Sequence, residues 1–495
     1  MPSTAWGSKK PDPTSTGWTL PRCTGGTDSS AGGTQYGPGV PTERPAPAAD
    51  DRPDPGSARR PPEPTRAGIL ALALPALGAL VAPPLFLLVD AAIVGTLGTE
   101  SLAALGIASQ VVATIIGLCV FLAYGTTADV SRRLGAGTMS GALADGMAGM
   151  ALGLLLGSAI AVATWLWGPE LVEALGARGD VASQAVTYLN IVAVCFPMLL
   201  AATAGVGVLR GLQDTRTTFV VTSVTVAINA VICAVLVLRA GRGIGGSALA
   251  TAIAETLAAS AYFVVTIRRA RGLGVSLRPD AFAVLRAARS GLALFVRTIA
   301  LRGVYLLALV VATREGAQEL AAYHVSYTVF LLCALALDAL AIAGQALTGQ
   351  YLGATDVTSA RRTTAMTTRY GIVVGVWIGI AIALLSPWLP ALFSDDPQVR
   401  LLTTGALLVV AVNQPLAGFV FVLDGILIGA GDARFLAVAQ VFALVAFIPL
   451  AWWVARSEGG VVALWGALTV FMVVRGVAFG RRIAGHRWLV VGDVG

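Results

Sequence analysis

Six ionisable side chains stand where the sequence leaves no room for water. Asp90, Glu255, Asp338, Asp424, Arg297 and Arg302 all lie inside long apolar runs. A charge at membrane depth is expensive, and it persists where it faces a polar cavity, pairs with an opposite charge or carries a proton. Asp90 is the one ionisable residue in ILALALPALGALVAPPLFLLVDAAIVGTLG, the run from Ile69 to Gly98. Pro83 and Pro84 interrupt that run, removing backbone donors and giving a helix a place to kink. Two readings of Asp90 stay open: a cap or structural pair, and a protonatable switch beside a hinge.

The other polar residues divide in the same way. An arginine and an aspartate in lipid almost require each other, so Arg302 is expected to pair with Asp338 or Asp424. That cluster fixes the packing of its helices, or it binds substrate or a second proton. Asp338 and Gln345 are seven residues apart and share one helix face. Arg297 lies nearer a helix end and can snorkel to the interface. Glu255 lies one turn beyond Thr251, so it extends a polar network there or bonds a hydroxyl at a helix contact. Asn190 reads as an interhelical hydrogen bond, and His324 faces a cavity or the outer surface. Four acids against two arginines favour a cationic guest. The five cysteines, Cys23, Cys119, Cys195, Cys233 and Cys333, show neither metal spacing nor a disulfide framework.

These residues need spans to hold them. The chain has 495 residues, 56% of them hydrophobic and only 12% charged, with mean hydropathy +0.78. That composition belongs to an integral membrane protein, so the net charge of +7 is no nucleic-acid signature. After the first run come eleven more, near 102–126, 141–166, 185–209, 218–238, 246–267, 290–312, 320–347, 363–386, 401–428, 435–454 and 461–480. Each is long enough for a helix rising roughly 1.5 Å per residue to cross a hydrocarbon core of about 30 Å. Twelve spans put both termini on one side. Loops on that side carry thirteen arginines against six on the other, which places the termini in the cytoplasm.

Residues 1–66 hold 13 of the 24 prolines and are expected to form a disordered cytoplasmic tail. The expected divisions are an N-terminal six-helix lobe at 67–267, an Arg-rich cytoplasmic linker at 268–289, a C-terminal lobe at 290–482 and a tail at 483–495. The lobes repeat at an interval of 218 residues: Leu134-Gly135 meets Leu352-Gly353, Pro197 meets Pro415, Gly211 meets Gly429, Asp214 meets Asp432, and Arg216 meets Arg434. Six spans is an even number, so the repeats are parallel and related by an axis along the membrane normal. The fold class expected is all-α, twelve transmembrane helices in two lobes around a central cavity, a transporter plan with its site near mid-membrane.

The segments VDAAIVGTLGTESLAALG, RGLQDTRTTF, GIGGSALATAIAE, LALDALAIAGQALTGQYLGA and FVLDGILIGAGDAR resemble the multidrug and toxic compound extrusion (MATE) family, and within it the DNA-damage-inducible F branch. The resemblance covers about residues 67–485. It implies export of amphipathic, often cationic, drugs or metabolites, driven by protons or sodium. It also implies that Asp90 is the family's first-helix acid, networked with an Asn and an Asp one turn apart on the fifth helix and a Thr on the sixth. Asn229 and Thr251 fit those places, while Cys233 stands where the second acid would be. One carboxylate is therefore missing, and protons rather than sodium are the expected coupling ion, with no other cofactor. The expected setting is a monomer in the bacterial plasma membrane, with small-molecule and lipid partners and no nucleic acid. A flippase or exporter of lipid-linked or secondary-metabolite substrates is the alternative on the same fold. A membrane enzyme is not expected, since no His-Glu-x-x-His, Gly-x-Ser-x-Gly or phosphate-binding loop is present.

Overall fold

In the computed structural model, residues 61–276, 280–457 and 459–492 are described. The tail expected at 1–66 lies almost wholly outside them, as do Arg278 and residues 493–495. Every regular element among the described residues is helical: α1 (Arg66–Gly95), α2 (Thr99–Cys119), α3 (Phe121–Gly135), α4 (Met139–Ala174), α5 (Gly179–Ala193), α6 (Phe196–Gly211), α7 (Thr215–Ala234) with a π-helical end at Val235–Arg239, and α8 (Gly243–Gly272). The second half follows with α9 (Ala281–Glu315), α10 (Ala317–Gly353), α11 (Val357–Leu385), α12 (Pro397–Gly429), α13 (Ala433–Ser457) and α14 (Gly460–Ala484). With α2 and α3 taken together, eleven helices among the described residues are long and apolar enough to cross a membrane. The pair α5 and α6, bent by 58°, makes a twelfth. Pro197 at the start of α6 accounts for that bend, because it cannot donate to the preceding turn.

The helices outrun the apolar windows at both ends. The expected linker at 268–289 shrinks to the residues between Gly272 and Ala281, because α8 continues through Arg268, Arg269 and Arg271, and α9 already holds Arg286 and Arg289. Helix needs no apolar side chain once the backbone bonds are running. The helix α12 is innermost, with 61% of its apolar window buried in protein, whereas α7 buries only 17% of its own.

The duplication is visible in the backbone. Gly98 and Gly316 take φ of 116° and 121°, Gly137 and Thr355 take 79° and 59°, and Gln213 and Gly431 take 62° and 74°. Left-handed residues at one fixed interval mean the same turns made twice. Packing repeats as well: α1 lies on α7 as α9 lies on α13, and α4 on α6 as α11 on α12. Asp214 pairs with Arg269 in one copy, and Asp432 with Arg482 in the other.

The two lobes meet over the halves of α1, α3, α9 and α10 nearest the face from which α1 and α9 rise. Ala76 of α1 packs on Ala339 and Ile342 of α10. Gln345 donates to the Tyr124 carbonyl at 2.7 Å, and Gln213 to Gln350 at 2.6 Å. Backbones touch where side chains are missing: a Cβ on Gly135 would overlap the Gln350 carbonyl, and one on Gly353 the Arg132 carbonyl. Residues 485–492, within the C-terminal tail expected at 483–495, dock beneath this junction. Arg132 of α3 is buried and donates to the carbonyls of Ala430 at 2.8 Å, Val490 at 2.6 Å and Gly492 at 3.0 Å. Gly492 donates in turn to Leu352 of the other lobe at 3.0 Å.

Gly353→Val is expected to wedge this junction open, since two backbones cannot yield to a branched side chain. Thiol labelling of Ser131→Cys, at a position buried in the native contact, should rise about tenfold in the Gly353→Val background. Unchanged labelling would mean that the lobes do not separate here.

Candidate transport site

Asp90 is 1% exposed and sits where α1, α7 and α8 converge. Its Oδ1 accepts from Ser247 Oγ at 2.7 Å and from Cys233 Sγ at 3.1 Å. Both donors are neutral, so the carboxylate is solvated by dipoles and not by a cation. Asn229 is buried nearby on α7, and its Oδ1 has no protein partner. Neither Asn229 nor Thr251 bonds Asp90; Ser247, one turn before Thr251, takes that place. Glu255 lies one more turn along α8, half-buried, and no ion pair of its own is described.

The helix that carries Asp90 stays helical through Pro75, Pro83 and Pro84. Adjacent prolines remove two successive ladder bonds, from the nitrogens of 83 and 84 to the carbonyls a turn earlier. The backbone is therefore soft about two turns from the carboxylate.

In the second lobe the expected pairing is corrected. Asp424 does not meet Arg302. Its Oδ1 accepts from Arg297 Nε at 3.0 Å, and its Oδ2 takes both Arg297 Nη2 and, at 3.1 Å, Arg475 Nη2. Arg297 does not snorkel; it is 6% exposed, with its guanidinium 5.8 Å from the centre of the Tyr124 ring. Five residues separate Arg297 from Arg302, which turns them about 140° apart on a helix, so only one can face α12. Arg475 on α14 is 2% exposed, and sequence reading passed over it because Arg481 and Arg482 mark the helix end close by. Arg210 is likewise buried at the end of α6. With Arg475 added, the charges inside the spans stand at four acids against three arginines, and the acidic excess expected from the sequence shrinks.

Asp338 is half-buried on α10, and the charges acting on it are those of Arg297, Arg210, Asp424 and Arg475. Gln345 is a lobe contact, as described. Asn190 is exposed and its carbonyl accepts from Trp165 at 3.1 Å, while His324 is exposed beside Tyr323. No group of three or more potential metal ligands occurs among the described residues.

A duplicated all-helical bundle with a buried carboxylate on a proline-softened first helix defines a two-lobed membrane transporter. The MatE family model matches residues 75–235 and 294–453, one repeat each, and the chain belongs to the MATE family. It is 30% identical over 450 residues to Protein DETOXIFICATION 44, chloroplastic, of Arabidopsis thaliana, covering 88% of this chain and 85% of that one. It is 27% identical over 416 residues to DNA damage-inducible protein F of Escherichia coli, covering 82% and 89%. Among solved structures, a MATE transporter in its bent conformation aligns with TM-score 0.78 and 22% identity over 84% of this chain and 95% of that one. The straight conformation aligns at 0.76 with 21% identity, over 84% and 96%. The chain is thus a MATE transporter and not an enzyme.

Proposed function

We propose that this chain is a proton-coupled antiporter that exports amphipathic organic molecules across the plasma membrane, with the face from which α1 and α9 rise toward the cytoplasm. The observation that carries the reading is Asp90, buried on a proline-softened helix and held by one hydroxyl and one thiol. A sodium ion wants several hard oxygen ligands, and a thiol sulfur is a poor substitute for the carboxylate it replaces. A proton needs only the carboxylate. Charged, Asp90 requires Ser247, Cys233 or water; neutral, it tolerates a dry contact, and α1 can bend at Pro83 and Pro84 into a different packing. Protonation from outside then closes the cavity and expels the guest.

The test is substrate-driven flux in proteoliposomes under separate proton and sodium gradients. Transport is expected to follow the proton gradient, and a sodium gradient at clamped pH is expected to do nothing. Cys233→Asp restores a second carboxylate beside Asp90 and is expected to make transport respond to sodium. Wild-type transport that tracks sodium at fixed pH would overturn the proton assignment.

A further inference from the structure

We infer that the second lobe binds its guest through Arg302, and that the guest is an amphipathic organic anion: a planar apolar body bearing a carboxylate. The inference rests on the transporter reading above and names the substrate class of that site. Arg302 lies on α9 with its guanidinium against Gly117 of α2, so it sits across the junction between the lobes. A side chain on Gly117 would displace it from this place. Among the described residues no carboxylate lies within ion-pair reach of Arg302, because Asp424 is already taken by Arg297 and Arg475. Yet Arg302 is exposed, while those two arginines are buried. A guanidinium never gives up its proton and is not stable facing lipid, so an exposed one at this depth faces open space between the lobes. Of the arginines at this depth in the second lobe, it is the one a guest would meet.

What surrounds it has the character of a binding surface. Tyr305 is three residues along α9, on the same face as Arg302. Its ring lies 5.3 Å from that of Tyr327 on α10 and 6.2 Å from that of Phe330. Tyr327 is stacked on Tyr323 at 5.8 Å with an interplanar angle of 10°. Planar rings beside a guanidinium fork suit a flat apolar group ending in a carboxylate, which takes both arms of the fork at once. A cationic guest would meet repulsion here. The two lobes then differ: the first keeps its acid Asp90 buried, and the second presents Arg302.

The test is calorimetric binding to the purified full-length protein, using 2-naphthoate and its matched cation 2-naphthylmethylammonium. No ion gradient is needed, so the result stands apart from whether coupling runs on protons. The wild type is expected to prefer the carboxylate. Arg302→Gln should weaken its binding about tenfold or more and leave the ammonium compound unchanged or tighter. Arg302→Lys, which keeps the charge but loses the fork, should retain an intermediate preference. Tyr327→Leu should weaken both probes, and with Arg302→Lys it decides the matter should Arg302→Gln fail to fold. A wild type that prefers the ammonium compound, or an Arg302→Gln that binds naphthoate undiminished, would overturn the inference and leave the antiporter reading intact.

Discussion

Asp90→Asn is expected to abolish coupled transport and leave the protein folded. Asparagine matches aspartate in volume, and its carbonyl can still accept from Ser247, so the convergence of α1, α7 and α8 should survive. The amide is also cheaper to bury than a carboxylate, so insertion should become slightly easier. What is lost is the change of charge. A ligand or proton shifts a two-state equilibrium only through a difference in its free energy between the states, and a fixed amide supplies none. Efflux from proteoliposomes and accompanying proton movement should both fall at least about 100-fold. Binding of substrate to the purified variant should persist, since Asp90 is 1% exposed and is not a surface a guest would touch. Export at the wild-type rate would move the switch to Glu255 or Asp338.

The second large effect concerns folding. Asp424 is the one carboxylate bonded to two buried guanidinium groups, so Asp424→Ala strands Arg297 and Arg475 together in the interior. Breaking a buried pair in that way typically costs about 3–5 kcal/mol, because the uncompensated charge stays behind. Arg475→Met does the reverse: it removes the surplus cation and leaves the bidentate Arg297–Asp424 pair neutral, for a cost of about 1.5 kcal/mol or less. Thermal unfolding monitored by size-exclusion chromatography should rank them accordingly, with Asp424→Ala aggregating and Arg475→Met close to wild type. Equal behaviour would mean that water reaches Asp424 and shares the work of neutralising its neighbours.

The sequence made the spans, the duplication and Asp90 plain, since each is a local or periodic property: apolar length, a fixed interval, one acid in a long apolar run. Ser247 was also within reach. Ser247, Thr251 and Glu255 step by four along α8, so a polar stripe was written there before the structure showed that its first member holds Asp90. Which arginine meets Asp424 was not within reach. Arg297 and Arg302 point to nearly opposite sides of α9, and the rotation of that helix is set by its packing against α10 and α13, which no local pattern encodes. Charge counting failed for a related reason: Arg475 and Arg210 sit near helix ends, where arginine is ordinarily a flank marker, yet tertiary packing buries both.

The duplicated halves have not kept the same first helix. At the 218-residue interval Pro84 of α1 falls opposite Arg302 of α9, and Asp90 opposite Ala308. The helix α1 carries three prolines inside it, and α9 carries none. On the proposed mechanism, then, one copy is the limb that flexes and the other the rigid hand that grips. Such a machine works one-sidedly: deformation originates in one half while the other keeps its shape as a fixed abutment. Replacing residues to stiffen α9 further should pass unnoticed in the cycle, whereas straightening α1 by replacing Pro83 and Pro84 with leucine should stall it.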